Sequence, residues 1–192
     1  MTALDPRTIR RDFPLFEREV HGKPIVYLDS ASSAQKPRAV FEAMDDVYRR
    51  YYANVHRGVY EIAAESTNAF EAARAKVARF VNANRTEEIV FVRNATEAIN
   101  LVAYTWARKN LVAGDAIVLS HMEHHANVVP WLMLAEERGV ELRWIPMTPD
   151  FRLDLTNLDE LLAGARLLAV TAMSNALGTI NDIRPLADAA HA

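Results

Sequence analysis

His121, His124 and His125 fall within five positions of the segment HMEHHANVVPW (121–131). Imidazoles grouped in this way can chelate a metal, move protons near neutral pH, pack flat over a cofactor ring, or stand in solvent. The four-residue separation of His121 and His125 suits chelation if both lie on one helix face. The H-E-x-x-H order is absent, however, and no carboxylate pattern completes a facial triad. The chain has no cysteine, which excludes thiolate metal sites and a disulfide framework. No metal site is expected.

Two other stretches carry groups suited to a small ligand. In RNATE (93–97), Asn94 can cap a helix with Glu97 as its capping-box partner. The same helix start would offer backbone N–H groups, the positive end of the helix dipole and the Thr96 hydroxyl to an anion. Helix capping alone would also account for the motif. No G-x-x-x-x-G-K-[ST] or G-x-G-x-x-G run occurs, so a phosphate held here would be a small one. In SNALGT (174–179), Asn175 is read as ending the apolar strand RLLAVTAM (166–173), where a buried amide needs a partner. The alternative is a plain loop turn with Gly178 supplying the backbone freedom.

The elements that must position these groups alternate. Asp5 before Pro6 is a helix start, and IVYLDS (25–30) reads as a strand leading into the loop SASSAQ (30–35). Apolar residues at helical spacing predict helices over 38–52 and from about Ser66 to Val81. Then follow strand 88–92, helix 95–111, strand 116–120, a helix begun by the histidine segment, strand 141–146, a short helix over 158–162, strand 166–173 and a helix over 184–192. Strands alternating with helices through short connections predict an α/β fold with a mostly parallel sheet. In such sheets ligands collect beyond the carboxyl ends of the strands, which picks out the loops at 30–35, 93–97, 121–125 and 174–179. LADAAHA closes the chain without a helix-stop signal, so the alternation reads as interrupted.

At 192 residues the chain can form one substantial core or part of a larger domain. Its net charge of −3 offers no basic field for nucleic acid or an anionic membrane. The apolar runs are far short of the ~20 residues of a membrane span. The amino terminus lacks the apolar core of a secretory signal, and a cytoplasmic location is expected.

Taken together, YLDSASSAQKP, NVHRGVY, EIVFVRNATEAINLVA, HMEHHANVVPW and MSNALGTI resemble, in order, segments of the class V aminotransferase group of pyridoxal-phosphate (PLP) enzymes. Within that group they are most similar to the SUF-type cysteine desulfurases. The resemblance implies a fold-type I PLP-dependent transferase large domain, mostly parallel sheet flanked by helices, and incomplete in this chain. Residues 1–24 would form an amino-terminal helical segment. Residues 25–192 would form a partial PLP-binding domain, without its carboxy-terminal strands and small domain. Ala95 and Thr96 would hold the PLP phosphate, with one hydroxyl contact fewer than relatives bearing a hydroxyl residue at the first position. His124 would stack on the pyridine ring and assist proton transfer, and Asn175 would hydrogen-bond the ring's 3-oxygen. Ala31 and His56 would lie near the substrate entrance, while His121 and His125 receive no contact role.

The family converts L-cysteine to L-alanine and passes the sulfur, as an enzyme persulfide, to an acceptor protein for iron–sulfur cluster assembly. That chemistry needs a Schiff-base lysine, an aspartate at the pyridine nitrogen and a nucleophilic cysteine. The segments that carry them in the family have no counterpart in these 192 residues, so no catalytic residue is assigned. The chain is expected to be an inactive amino-terminal half of a homodimeric enzyme. A selenocysteine lyase, another class V aminotransferase, or a non-catalytic anion-binding α/β module are the alternatives.

Overall fold

The computed structural model describes residues 4–192, so the first three residues of the expected 1–24 segment lie outside the described residues. They form two compact units with the boundary between Val90 and Phe91.

In the amino-terminal unit, α1 (Pro6–Arg10) begins as the sequence predicts. The Asp5 carboxylate accepts from the Arg7 N–H at 3.0 Å and the Thr8 hydroxyl at 2.6 Å, with Pro6 in the first turn. A short antiparallel hairpin, β1 (Glu19–Val20) and β2 (Lys23–Pro24), turns through His21 and Gly22, both at positive φ. Two such residues give the turn whose twist matches the strands. The strand expected over 25–30 does not form. These residues find no ladder partner among the described residues, and Leu28 is 91% exposed. Propensity supplies half of a strand, and a neighbour supplies the other half.

Helix α2 (Arg38–Asp46) continues through a wider turn over Val47–Tyr51, covering the predicted 38–52. Helix α3 (Glu61–Phe80) starts about five residues earlier than the periodicity predicts. The reason is a close approach: Ala63 is fully buried, and a Cβ placed on Gly58 would lie 2.2 Å from the Ala63 Cβ. Only glycine lets the HRG loop pass that close to the first turn of α3.

The carboxy-terminal unit holds the parallel sheet. Helix α4 (Ala95–Val102) runs on through a wider turn (Ala103–Ala107) into α5 (Arg108–Asn110), filling the predicted 95–111. Then follow β3 (Ala116–Ser120), α6 (Val129–Arg138), β4 (Glu141–Ile145), α7 (Leu158–Leu162), β5 (Ala165–Ala169) and α8 (Ile183–His191). The strands lie in the order β4-β3-β5, all parallel. The unit is an α/β layer, as expected. The strand predicted over 88–92 is not formed: the Ile89 N–H turns back to the Thr86 carbonyl, its own carbonyl accepts from Arg74, and Val90 is 63% exposed. The strand predicted over 166–173 stops at Ala169.

Central β3 is buried along its whole length because both its faces are covered. Ile117 and Leu119 pack with Ala103, Ala107, Trp131 and Leu134, under the α4–α5 run and α6. Val118 points the other way, packing with Ile145, Leu158 and Leu186 under α7 and α8. The period of two along β3 therefore feeds two cores. Gly139 ends α6 in the left-handed region (φ 69°, ψ 28°), the usual glycine helix stop.

Candidate functional site

The carboxyl end of β3 delivers Ser120 and then the histidines. Ser120 is fully buried, which is costly for a hydroxyl unless it is bonded. Its Oγ donates to Glu123 Oε1 at 2.6 Å and accepts from the Met122 N–H at 3.3 Å. Glu123 Oε1 also accepts from the Thr171 N–H at 2.8 Å, just past the end of β5. Its other oxygen accepts from Asn127 Nδ2 at 2.8 Å, and Asn127 Oδ1 accepts from the Trp131 indole N–H at 3.0 Å. One carboxylate thus joins the segments following β3 and β5. Sequence alone does not single out Ser120, Glu123, Asn127 or Thr171. The S-x-x-E spacing over 120–123, that of a capping box, is the signal that could have drawn attention to the first two.

His124 follows the tied glutamate. It is exposed, and its Nδ1 accepts from the Ala126 N–H at 3.0 Å, capping the short helical turn His125–Asn127. An accepting Nδ1 places the proton of the neutral ring on Nε2. His125 meets His124 edge-on, with ring centroids 6.3 Å apart. His121 stays at the strand end: its N–H donates to the Ile145 carbonyl, and its ring stacks on Trp144 at 5.5 Å. His121 and His125 therefore share no helix face. Among the described residues, no three His, Cys, Asp or Glu side chains come together in a group that could hold a metal ion.

Helix α4 lies against the His125–Asn127 turn. At its start, Asn94 Oδ1 accepts from the Glu97 N–H at 2.9 Å, and Ala98 N makes the first intrahelical bond to the Asn94 carbonyl. Among the described hydrogen bonds, none uses the Ala95 or Thr96 N–H. The expected capping box is displaced by one residue. Glu97 Oε2 accepts from the Arg93 N–H at 2.7 Å rather than from Asn94, and the Arg93 guanidinium closes on the same carboxylate. Those Arg93 contacts, side chain first and then backbone, hold the Glu97 carboxyl below the usual glutamate range. The pair also offsets a negative charge that would otherwise repel an anion at this helix start.

Asn175 is not the buried end of a strand. It is exposed in a turn six residues beyond β5, and the buried polar residue is its neighbour Ser174. Ser174 Oγ accepts from the Leu177 N–H at 3.0 Å, and the Ser174 N–H donates to the Thr179 carbonyl at 2.9 Å. Asn181 Nδ2 ties the return of this loop to the Thr171 carbonyl at 2.8 Å. Four predicted positions (Ala95, Thr96, His124 and Asn175) thus belong to the carboxy-terminal unit. Ala31 and His56 belong to the amino-terminal unit. Ala31 is exposed in the 30–35 loop. His56 sits at positive φ (68°), its N–H donating to Thr67 Oγ1 at 2.9 Å and its Nε2 2.7 Å from Glu71 Oε1. A cleft of about 610 Å³ along the β4 edge, lined by Arg143, Trp144, Asp154 and Asn157, contains none of these positions.

A class of PLP-fold domain is what this arrangement fits: a parallel sheet with a capped helix start and two polar turns at its carboxyl end. Residues 26–192 match the class-V aminotransferase family, and the chain belongs to it. It is 53% identical over 179 residues to a cysteine desulfurase of Serratia proteamaculans, a match covering 93% of this chain and 44% of that protein. A relative of the same description from Pectobacterium carotovorum is 52% identical over the same length. Among solved structures, the apo cysteine desulfurase of Thermococcus onnurineus superposes with a TM-score of 0.90 at 37% identity, covering all of this chain and 46% of that one. The Escherichia coli cysteine desulfurase CsdA gives 0.83 at 40% identity, covering 99% of this chain and 47% of that one. The chain spans under half the length of the relatives it matches.

Proposed function

We propose that these residues are the amino-terminal, cofactor-holding part of a PLP-dependent cysteine desulfurase of the SUF type. It would act on L-cysteine and hand the sulfur to an acceptor protein of iron–sulfur assembly in the cytoplasm. The observation that carries this reading is the convergence, in one unit, of a helix start with free N–H groups, the His124 turn lying against that helix, and the Asn175 turn, with the segments following β3 and β5 tied by Glu123. Relatives over 50% identical bear the desulfurase name, which favours this activity over selenocysteine lyase or a non-catalytic module.

The residues fit the cofactor. The Ala95 and Thr96 N–H groups and the Thr96 hydroxyl suit a phosphate. The His124 ring is exposed and braced at Nδ1, leaving Nε2–H for a proton-transfer role. Asn175 offers an amide to a ring oxygen, and Ala31 and His56 would border the substrate entrance. When bound, PLP supplies the electron sink for bond cleavage in the amino acid. Residues 25–192 would then be a partial large domain behind an amino-terminal segment, 1–24. The whole protein would be a homodimer. A monomer by sedimentation at micromolar concentration, with activity retained, would overturn that.

In the whole protein, His124→Ala should shift the PLP absorbance band and lower turnover. His121→Ala should do much less, because its ring is already committed to Trp144. Stoichiometric zinc in the purified protein, lost with the histidines, would replace this reading with a metal site.

A further inference from the structure

The polar network at the end of β3 contains more than packing requires. Glu123 receives three donors, from Ser120, Asn127 and Thr171, and they arrive from two segments that the sequence separates by 48 residues. We propose that Glu123 is a positioning residue. Its carboxylate fixes the His124 turn to the segment following β5, and the bond polarity it imposes passes through Asn127 to the buried indole of Trp131.

The argument rests on donors and acceptors. Every group facing Glu123 donates, and an ionised carboxylate, which only accepts, satisfies all three. Because Asn127 gives its Nδ2 to Glu123, its Oδ1 must face Trp131, whose indole nitrogen can only donate. Trp131 is 2% exposed and lies in the core with Ile117 and Leu119, so its N–H has no water to turn to. The direction of each bond is therefore set by the charge at position 123. Next in the chain, His124 takes its backbone position from this tie and its ring stance from the Ala126 N–H. On the other side, Thr171 is held also by Asn181, which donates to its carbonyl across the base of the Asn175 loop. A single carboxylate thus sets both loops against each other.

Glu123→Gln is nearly isosteric but breaks the pattern. Its oxygen can still serve Ser120 and Thr171, which turns its NH₂ towards the Asn127 NH₂. Flipping Asn127 relieves that clash only by turning a second NH₂ against the Trp131 N–H. Adding Asn127→Asp restores an acceptor for both neighbours. The two changes together should therefore recover what the first one loses. A role in bulk or packing alone predicts no such rescue.

The test uses the whole protein, as wild type, E123Q, N127D and E123Q/N127D. Two readouts are taken: the ¹⁵N-indole signal of Trp131 and the His124 ring signals in apoprotein, and the PLP absorbance band with kcat and KM in holoprotein. In E123Q the Trp131 proton should move upfield and exchange faster, and the His124 signals should shift. Turnover should fall on the order of tenfold to a hundredfold, as small misplacements near the chemistry do, with KM little changed. E123Q/N127D should return the indole and histidine signals to within reach of wild type and recover most of the turnover. If E123Q fails to fold, folding of the double variant alone supports the proposal. It is overturned if E123Q leaves the Trp131 and His124 signals in place, or if the double variant is no better than E123Q. The turnover readout alone rests on the cofactor reading of His124. An unchanged PLP band in His124→Ala would end that reading while the apoprotein signals still judged Glu123.

Discussion

At the start of α4 the sign of one exposed charge matters, because Glu97 sits one residue from the proposed phosphate position at Thr96. Arg93 holds its carboxyl below the ordinary range, chiefly through the side-chain contact. A depressed native pKa means that the pair stabilises the fold above the unfolded-state value, about 4.3, and that this contribution disappears as pH falls through the native value. Arg93→Ala should therefore destabilise the protein near neutral pH, and the gap from wild type should close as the buffer is acidified below pH ~4. Thermal melts of both proteins across that range would show it, and a gap that widened with acid would refute the assignment. The variant should also raise the Glu97 pKa, readable by carboxyl ¹³C shifts, and weaken inorganic phosphate binding. Asn94 was legible as a cap because the signal is local: a short polar side chain precedes a helical period. The identity of Glu97's partner was not, since Arg93 and Asn94 both lie within one turn and the arginine wins by adding a guanidinium to its N–H. Glu123 was illegible for a different reason, its decisive partner being a backbone N–H 48 residues away.

Elements that carry their signal internally were readable, and those that need a partner were not. Helices α2, α4 and α8 follow from the 3.6-residue period and from caps such as Asn94, which accepts from the Glu97 N–H. Strands β3, β4 and β5 could be read because short apolar runs are flanked by turn residues, and they find each other. IVYLDS and EIVFV are also rich in β-branched and aromatic residues but are not strands here, so the pattern alone overstates them. The start of α3 was misplaced because helical periodicity does not register the close backbone pass of Gly58 over Ala63. The two-sided burial of β3 supports a sharper expectation. Leu119 has no exposed surface and touches the core beneath α4–α5 and α6, so Leu119→Ala should cost about 2–5 kcal/mol by lost transfer energy and the cavity left behind. Leu132, on the outer side of α6 and 47% exposed, should lose less than about 1 kcal/mol on the same change. Urea unfolding monitored by circular dichroism separates the two, and equal losses would mean that β3 is not the centre of the core.

For the molecule as a whole, the question is whether these 192 residues can capture PLP covalently, and the four lysines decide it. Lys109 is the one in the carboxy-terminal unit, and it stands at the far end of the helical run that begins at Ala95. Thirteen residues from Thr96 at about 1.5 Å each place it ~20 Å along the axis, beyond the reach of one side chain to a ring whose phosphate sits at Thr96. Lys36 donates to the Ala34 carbonyl at 2.6 Å in an exposed loop. Lys23 lies in the β1–β2 hairpin and Lys76 within α3. None lies in a position that the resemblance assigns to a Schiff base. Both outer strands of the three-stranded sheet are open on one side among the described residues, and a groove of about 340 Å³ beside β5 exposes Leu167, Ile183 and Ala190. Open strand edges and apolar surface favour association, so the 192-residue chain should aggregate at micromolar concentration when made alone. With PLP and borohydride it should yield only scattered, substoichiometric pyridoxyl-lysine by peptide mass mapping, and no alanine from L-cysteine. A single stoichiometric adduct, accompanied by alanine release, would show that one of these four lysines is the Schiff-base lysine and that the chain is a working enzyme by itself.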